Sequence, residues 1–171
     1  MTKFTYENSE VIYFSNSPVI LSSKDLMNLK KKASLNSSKK IRICSHLDKK
    51  DNLHEMFIVH HKDAYVRPHR HIGKSESMYI IEGEVDLILF HDNGSIKDVI
   101  EMGDFSSKKI IYHRLNQPIF HTLFIKSEYL VFHEVTEGPF DRSRTEFPDW
   151  APINESTNIK QFIKNSQKNY R

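Results

Sequence analysis

His69-Arg70-His71 spaces two imidazoles two residues apart, and Glu76 follows after a short linker that contains Gly73. Side chains alternate faces along a strand, so His69 and His71 share one face and Arg70 points to the other. Two imidazoles and a carboxylate gathered at one place are a ligand set for a divalent transition metal. The bland alternative is a pair of surface histidines beside a solvated glutamate. The apolar run Met78 to Ile81 and the Gly83 that follows argue against it.

A further nitrogen can come from downstream. His121 stands in Pro118-Ile119-Phe120-His121-Thr122-Leu123, where strand parity turns it to the side of Ile119, Leu123 and Ile125. An imidazole on an apolar inward face needs a partner, because burying it unpaired is costly. Taken alone, His121 is better explained by a hydrogen bond to a carbonyl; beside the Pro68 to Gly83 stretch, coordination is the better reading. His113 ranks second for that place and His133 third. On the same parity Tyr65 and Arg67 line the cavity of His69 and His71. Arg67 suits a carboxylate or phosphate held in bidentate fashion, with a guanidinium reaching solvent or a nearby acid as the even alternative.

The elements that must position these residues are mostly strands. Val11 to Phe14 and Pro18 to Leu21 read as strands. Ser22 or Ser23 caps a helix over about Lys24 to Ser34, with Asp25 in its first turn and Leu26, Leu29 and Ala33 at helical spacing. Ile41 to Cys44 reads as a strand. Leu53, Met56, Phe57 and His60 fall at i, i+3, i+4 and i+7, which favours a helix over 53–60 and a structural role for His54 and His61. From Ala64 strand follows strand: Ala64 to His71, Ser77 to Ile81, Glu84 to His91, Ile96 to Glu101, Lys109 to Leu115, Ile119 to Lys126 and Tyr129 to Thr136. Asp92-Asn93-Gly94 marks a hairpin turn, since Asn-Gly accepts positive φ. Short strands at such spacing predict a β-sandwich or barrel. Phe140 to Pro152 reads as an irregular wrap anchored by Phe147 and Trp150. Ile159, Phe162 and Ile163, after Ser156 or Thr157 as cap, predict a short final helix.

Composition narrows the field. The 171 residues suffice for one domain with a real core, and 38% hydrophobic against 27% charged content predicts a soluble globular protein. A net charge of +3 is too balanced for nucleic acid, which calls for a concentrated basic stripe. A lone cysteine, Cys44, rules out an intramolecular disulfide and a cysteine-based zinc site, and fits a reducing cytoplasmic location. The N-terminus lacks the apolar core of a signal peptide, and no apolar run approaches membrane-spanning length. The expected organisation is an N-terminal strand segment, 1–21, a single domain over 22–152, and a tail, 153–171.

His69-x-His71, Glu76 and Gly83 together resemble the first motif of the cupin superfamily. The likeness narrows to the WbuC-type cupin metalloproteins. It is carried by Asn52-Leu53-His54-Glu55, Tyr65-Val66-Arg67-Pro68-His69-Arg70-His71, Phe120-His121-Thr122-Leu123, Glu134-Val135-Thr136-Glu137-Gly138-Pro139-Phe140 and Trp150-Ala151-Pro152. It covers about residues 22 to 152. One departure is plain: Asn116 stands where the second cupin motif usually has Pro, and that motif's glycine is absent.

The resemblance implies a mainly β, double-stranded β-helix (jelly roll) with a few short flanking helices, and His69, His71, Glu76 and His121 as ligands of Fe, Zn, Mn, Ni or Co. It also implies a role in surface-polysaccharide clusters, with a small sugar or sugar nucleotide as ligand. His54 and Glu134 belong to its blocks, and with Tyr65 they are the candidate catalytic groups; Arg67 and Tyr65 are the candidate ligand-binding ones. The leading expectation is a metal-dependent sugar isomerase or epimerase. An Fe(II) dioxygenase and a non-catalytic sensing cupin are the alternatives. A small sugar-like or anionic ligand, no nucleic acid, no membrane and a homodimer complete the expectation.

Overall fold

In a computed structural model of the chain, residues 4–15, 17–153 and Phe162, Asn165 and Lys168 are described. The described residues form twelve strands and an α-helix: β1 Phe4–Tyr6, β2 Val11–Phe14, α1 Ser23–Leu35, β3 Lys40–Cys44, β4 Leu53–His61, β5 Arg70–His71, β6 Glu76–Glu82, β7 Glu84–Phe90, β8 Ile96–Gly103, β9 Tyr112–Leu115, β10 Phe120–Ile125, β11 Tyr129–Glu137 and β12 Thr145–Glu146. A seven-stranded sheet runs β1-β2-β3-β4-β11-β6-β9. It faces a three-stranded sheet, β10-β7-β8, and a two-stranded one, β12-β5. This is the cupin jelly roll.

Each face of the large sheet has its own work. Met56, Ile58, Met78 and Phe132 point inward and pack against Leu87 and Leu123 of the small sheet. The alternate residues Ile41, Ile43, Val59 and Val131 point outward, where Leu29 and Ala33 of α1 cover them. Burying Leu29 alone contributes about 2 kcal/mol. The helix starts on a capping box: Ser22 Oγ accepts from the Asp25 N–H, and the Asp25 carboxylate accepts from the Ser22 N–H at 2.9 Å. A third cluster, Ile88, Phe90, Phe120 and Phe124, lies behind the small sheet under Trp150 and Phe162.

Several expectations change here. Residues 53–60 are a strand, not a helix. β4 is central, with apolar residues buried on both faces, so its apolar spacing mimics a helical stripe. Pro18 to Leu21 is not a strand, although Val19 and Leu21 pack beside α1. Within Ala64 to His71 only Arg70–His71 is strand; the preceding residues run as coil, pinned by Thr122 Oγ1 donating to the Val66 carbonyl. β2 pairs in parallel with β3 and buries Val11, Ile12 and Phe14, so the N-terminal segment is part of the main sheet. α1 is accompanied by two 3-10 turns, and the described tail residues Phe162, Asn165 and Lys168 are also helical. The expected final helix, with Ile159 and Ile163, lies outside the described residues apart from Phe162.

Candidate metal centre

Three elements bring the histidines together. β5 carries His71, the coil before it carries His69, and β10 carries His121. A β-bridge ties His69 directly to His121, with hydrogen bonds of 2.9 and 3.1 Å in the two directions. One ring nitrogen from each of the three lies within 4.8 Å of the others. Glu76, the first residue of β6, completes the group: its two carboxylate oxygens lie 3.0 Å from His71 Nε2 and 2.8 Å from His121 Nε2. His113 is not part of this cluster. His133 is on the outer face of β11, in register with Phe57 and Tyr79 and 3.8 Å from Glu55.

The opposite edges of the rings are anchored. His69 Nδ1 lies 2.8 Å from the Arg67 carbonyl oxygen, His121 Nδ1 2.9 Å from that of Ile119, and His71 Nδ1 3.2 Å from Thr145 Oγ1. A carbonyl oxygen only accepts, so Nδ1 of His69 and of His121 carries the proton, and a neutral ring then offers a bare lone pair at Nε2. In His121 that lone pair faces the Glu76 carboxylate. Two acceptors at 2.8 Å would repel, so the contact takes a cation: a proton, which makes His121 an imidazolium donating to Glu76, or a divalent ion that has both groups as ligands.

The protonated form is an ion pair. Burial pushes the His69 imidazole down to about 3, helped by the nearby His121 charge. Burial by itself would raise the Glu76 carboxyl, but hydrogen bonds from His121 and His71 outweigh it and hold the group well below its ordinary range. Burial pulls His121 down too, and Glu76 reverses this, so that imidazole is raised.

The cluster opens into a cavity of about 460 Å³ running through the barrel. Seven of the ten histidines line it, among them His46, His54 and His60. Its middle is apolar, with Met56, Ile58, Met78 and Leu123 on the walls. His54 lies in register with Thr136, which is in register with Glu76, so the three share one level of the sheet. The His54 ring stacks on His46 with centroids 4.0 Å apart. Glu134, one level further in, is pushed up to about 7 by burial and by the charge of Glu76. Burial takes His113, across Met78 from it, down to about 4.

Two of the expected ligand-binding residues differ. Arg67 lines the cavity; Tyr65 does not, because the chain there is coil rather than a regular strand and its hydroxyl donates to the Pro152 carbonyl at 2.9 Å. Thr145, Lys40 and Arg42 were not singled out from the sequence. For the last two a signal exists: Lys40-Ile41-Arg42-Ile43 alternates, but its apolar face meets α1 and its polar face meets the cavity.

The sequence matches the model of a family described as a domain of unknown function (DUF6016) over residues 21–102. No curated protein matches it. Among solved structures, a protein from Shewanella oneidensis has a similar fold, with a TM-score of 0.58 at 10% identity over 89% of this chain and 99% of that one. The capsular polysaccharide assembling protein CapF from Staphylococcus aureus follows at a TM-score of 0.49 and 15% identity, covering 64% of this chain and 31% of that one. Oxalate decarboxylase from Bacillus subtilis has a TM-score of 0.48 at 17% identity, with 63% and 27% covered. This chain spans about a third of the length of CapF. The fold and the histidine cluster define a cupin-fold protein with a possible metal site. No helix among the described residues is long and apolar enough to cross a membrane.

Proposed function

We propose that this protein is a WbuC-type cupin in which His69, His71, His121 and Glu76 hold one divalent transition metal, and that it works in the cytoplasm on a small sugar or sugar nucleotide in surface-polysaccharide synthesis. The observation that carries the metal reading is the convergence of one ring nitrogen from each of His69, His71 and His121 within 4.8 Å of one another, with the Glu76 carboxylate oxygens 3.0 and 2.8 Å from two of the rings. When bound, the ion supplies Lewis acidity toward a carbonyl or hydroxyl oxygen of the ligand. Glu134 faces the same cavity one level away, and its carboxyl, near 7, suits it both to accept and to return a proton. His54 holds the far wall at the level of the metal ligands.

What supports the sugar reading is the convergence of the resemblance blocks. His54, Arg67, His69, His121, Glu134 and Phe140 come from four separate stretches and all line one cavity. The test is incubation of metal-loaded protein with nucleotide-linked sugars and free sugars in the absence of oxygen, followed by NMR of the sugar and by equilibrium binding. Isomerised or epimerised sugar, or saturable binding, is expected. A protein that neither binds nor changes any of them contradicts the reading, and oxygen consumption by the iron-loaded form would replace it with a dioxygenase. A homodimer joined through the free edge of β1 belongs to the same proposal; light scattering at the mass of one 20.2 kDa chain would oppose it.

A further inference from the structure

The cavity wall on β3 carries basic groups that form no ion pair among the described residues. Alternation along Lys40-Ile41-Arg42-Ile43 turns Lys40 and Arg42 to the cavity. Lys40 Nζ donates to the Tyr65 carbonyl oxygen at 3.2 Å, which sets its ammonium beside the segment that leads through Arg67 to His69. Arg67 donates Nη2 to the Pro148 carbonyl at 3.3 Å, lies over the Phe147 ring at 5.0 Å, and leaves Nε buried without a partner.

Among the described residues no carboxylate comes within 4.0 Å of Lys40, Arg42 or Arg67. Lys49, at the same cavity, is by contrast neutralised by Glu7 at 2.6 Å. Glu10 and Glu134 also line the cavity. The Glu10 charge favours protonated Lys40, yet burial outweighs it and holds that amine below its ordinary value. Lys40 and Arg67 are half-buried, where a cation left without an acidic partner is costly and an entering anion removes that cost, and Arg42 stands beside Lys40 at the exposed rim.

We propose that Lys40, Arg42 and Arg67 form an oxyanion subsite, which takes a phosphate or carboxylate of the ligand whose other end meets the histidine cluster. Lys40, Arg42 and Arg67 line the same cavity of about 460 Å³ as His69, His71 and His121, which has room for a ligand that meets both groups. Arg67 adds a planar fork that matches either oxyanion. The subsite rests on the metal-centre reading only for the orientation of the ligand.

It is tested on the full chain stripped of metal with EDTA. Inorganic phosphate and, separately, acetate are titrated in by calorimetry near neutral pH at constant ionic strength. Saturable one-to-one binding of at least one of them is expected. It should weaken tenfold or more in Arg42→Gln and in Lys40→Met, and stay unchanged in Lys97→Met, an exposed lysine on β8 outside the cavity. Arg42 is exposed, so its replacement leaves the fold intact, and circular dichroism of each variant verifies this. Binding of phosphate alone assigns a phosphorylated ligand, and binding of acetate alone an organic acid; both support the subsite. No saturable binding, or equal binding in Arg42→Gln and Lys40→Met, overturns it. Metal uptake by the same preparations separates the two ideas: phosphate binding without metal uptake removes the metal centre alone, and metal uptake without oxyanion binding removes the subsite alone.

Discussion

Thr145 touches no metal in the proposed centre, yet it fixes one of the rings that would. Its hydroxyl lies 3.2 Å from His71 Nδ1, and it arrives from β12, more than seventy residues away in sequence. Such partners orient the ring and set the basicity of its other nitrogen. Thr145→Val keeps the shape and removes the hydrogen bond, so a competition titration with a chelator should show metal affinity falling about tenfold. Removing a ring should cost far more. His121→Ala also strips Glu76 of its partner at 2.8 Å, and metal binding should weaken by a factor of about 100 or more in the same titration. A Thr145→Val protein with unchanged affinity would make the contact structural only.

At the level of elements, the tight link between β6 and β7 joins the large sheet to the small one. Gly83 turns the chain with φ of +92°, and a Cβ there would lie 2.2 Å from the Tyr129 carbonyl oxygen and 2.4 Å from Ser127 Oγ. Gly83→Ala therefore meets both a disfavoured conformation and backbone that cannot yield. A loss of about 3 kcal/mol is expected in urea unfolding; a loss under 1 kcal/mol would mean that the turn relaxes freely.

Elements also explain what the sequence made legible. Parity on short strands turns His71 and His121 to the interior and the short linker keeps Glu76 near them, whereas His69 joins them through an isolated bridge to His121 rather than through regular strand; the Asn93-Gly94 turn and the capped helix stand where residue chemistry puts them. β4 was not legible, because a central strand with both faces buried carries no alternation to distinguish it. Tyr65 was misplaced because parity holds only in regular strand, and residues 64–69 are coil held by side-chain bonds. Thr145 offered no local signal at all: its meaning comes from a pairing with β5 that only the folded chain creates.

The molecule as a whole places many histidines in one barrel, and this gives it an acid sensitivity of predictable sign. His60 is buried, its Nδ1 has no partner, and burial depresses its imidazole from 6.5 to about 3, with Lys40 and Arg42 acting in the same direction. Between those values the unfolded chain binds a proton that the folded one refuses. Stability therefore rises with pH across that window and is lost as pH falls below 6.5, by up to about 1.4 kcal/mol per unit for such a group. His46 and His113, also lowered chiefly by burial, add to the slope. Urea unfolding at pH 7, 6 and 5 should show the decline, and His60→Met should flatten it by about one proton's worth; an unchanged slope would remove His60 from the account.

The claim on which the rest depends is that the three imidazoles and Glu76 hold a metal. The most direct measurement is elemental analysis of untagged protein, as purified and after incubation with Mn(II), Fe(II), Co(II), Ni(II) and Zn(II). About one equivalent of a single transition metal per chain, abolished in His71→Ala, is the predicted result. A folded protein that carries none and takes up none would contradict it.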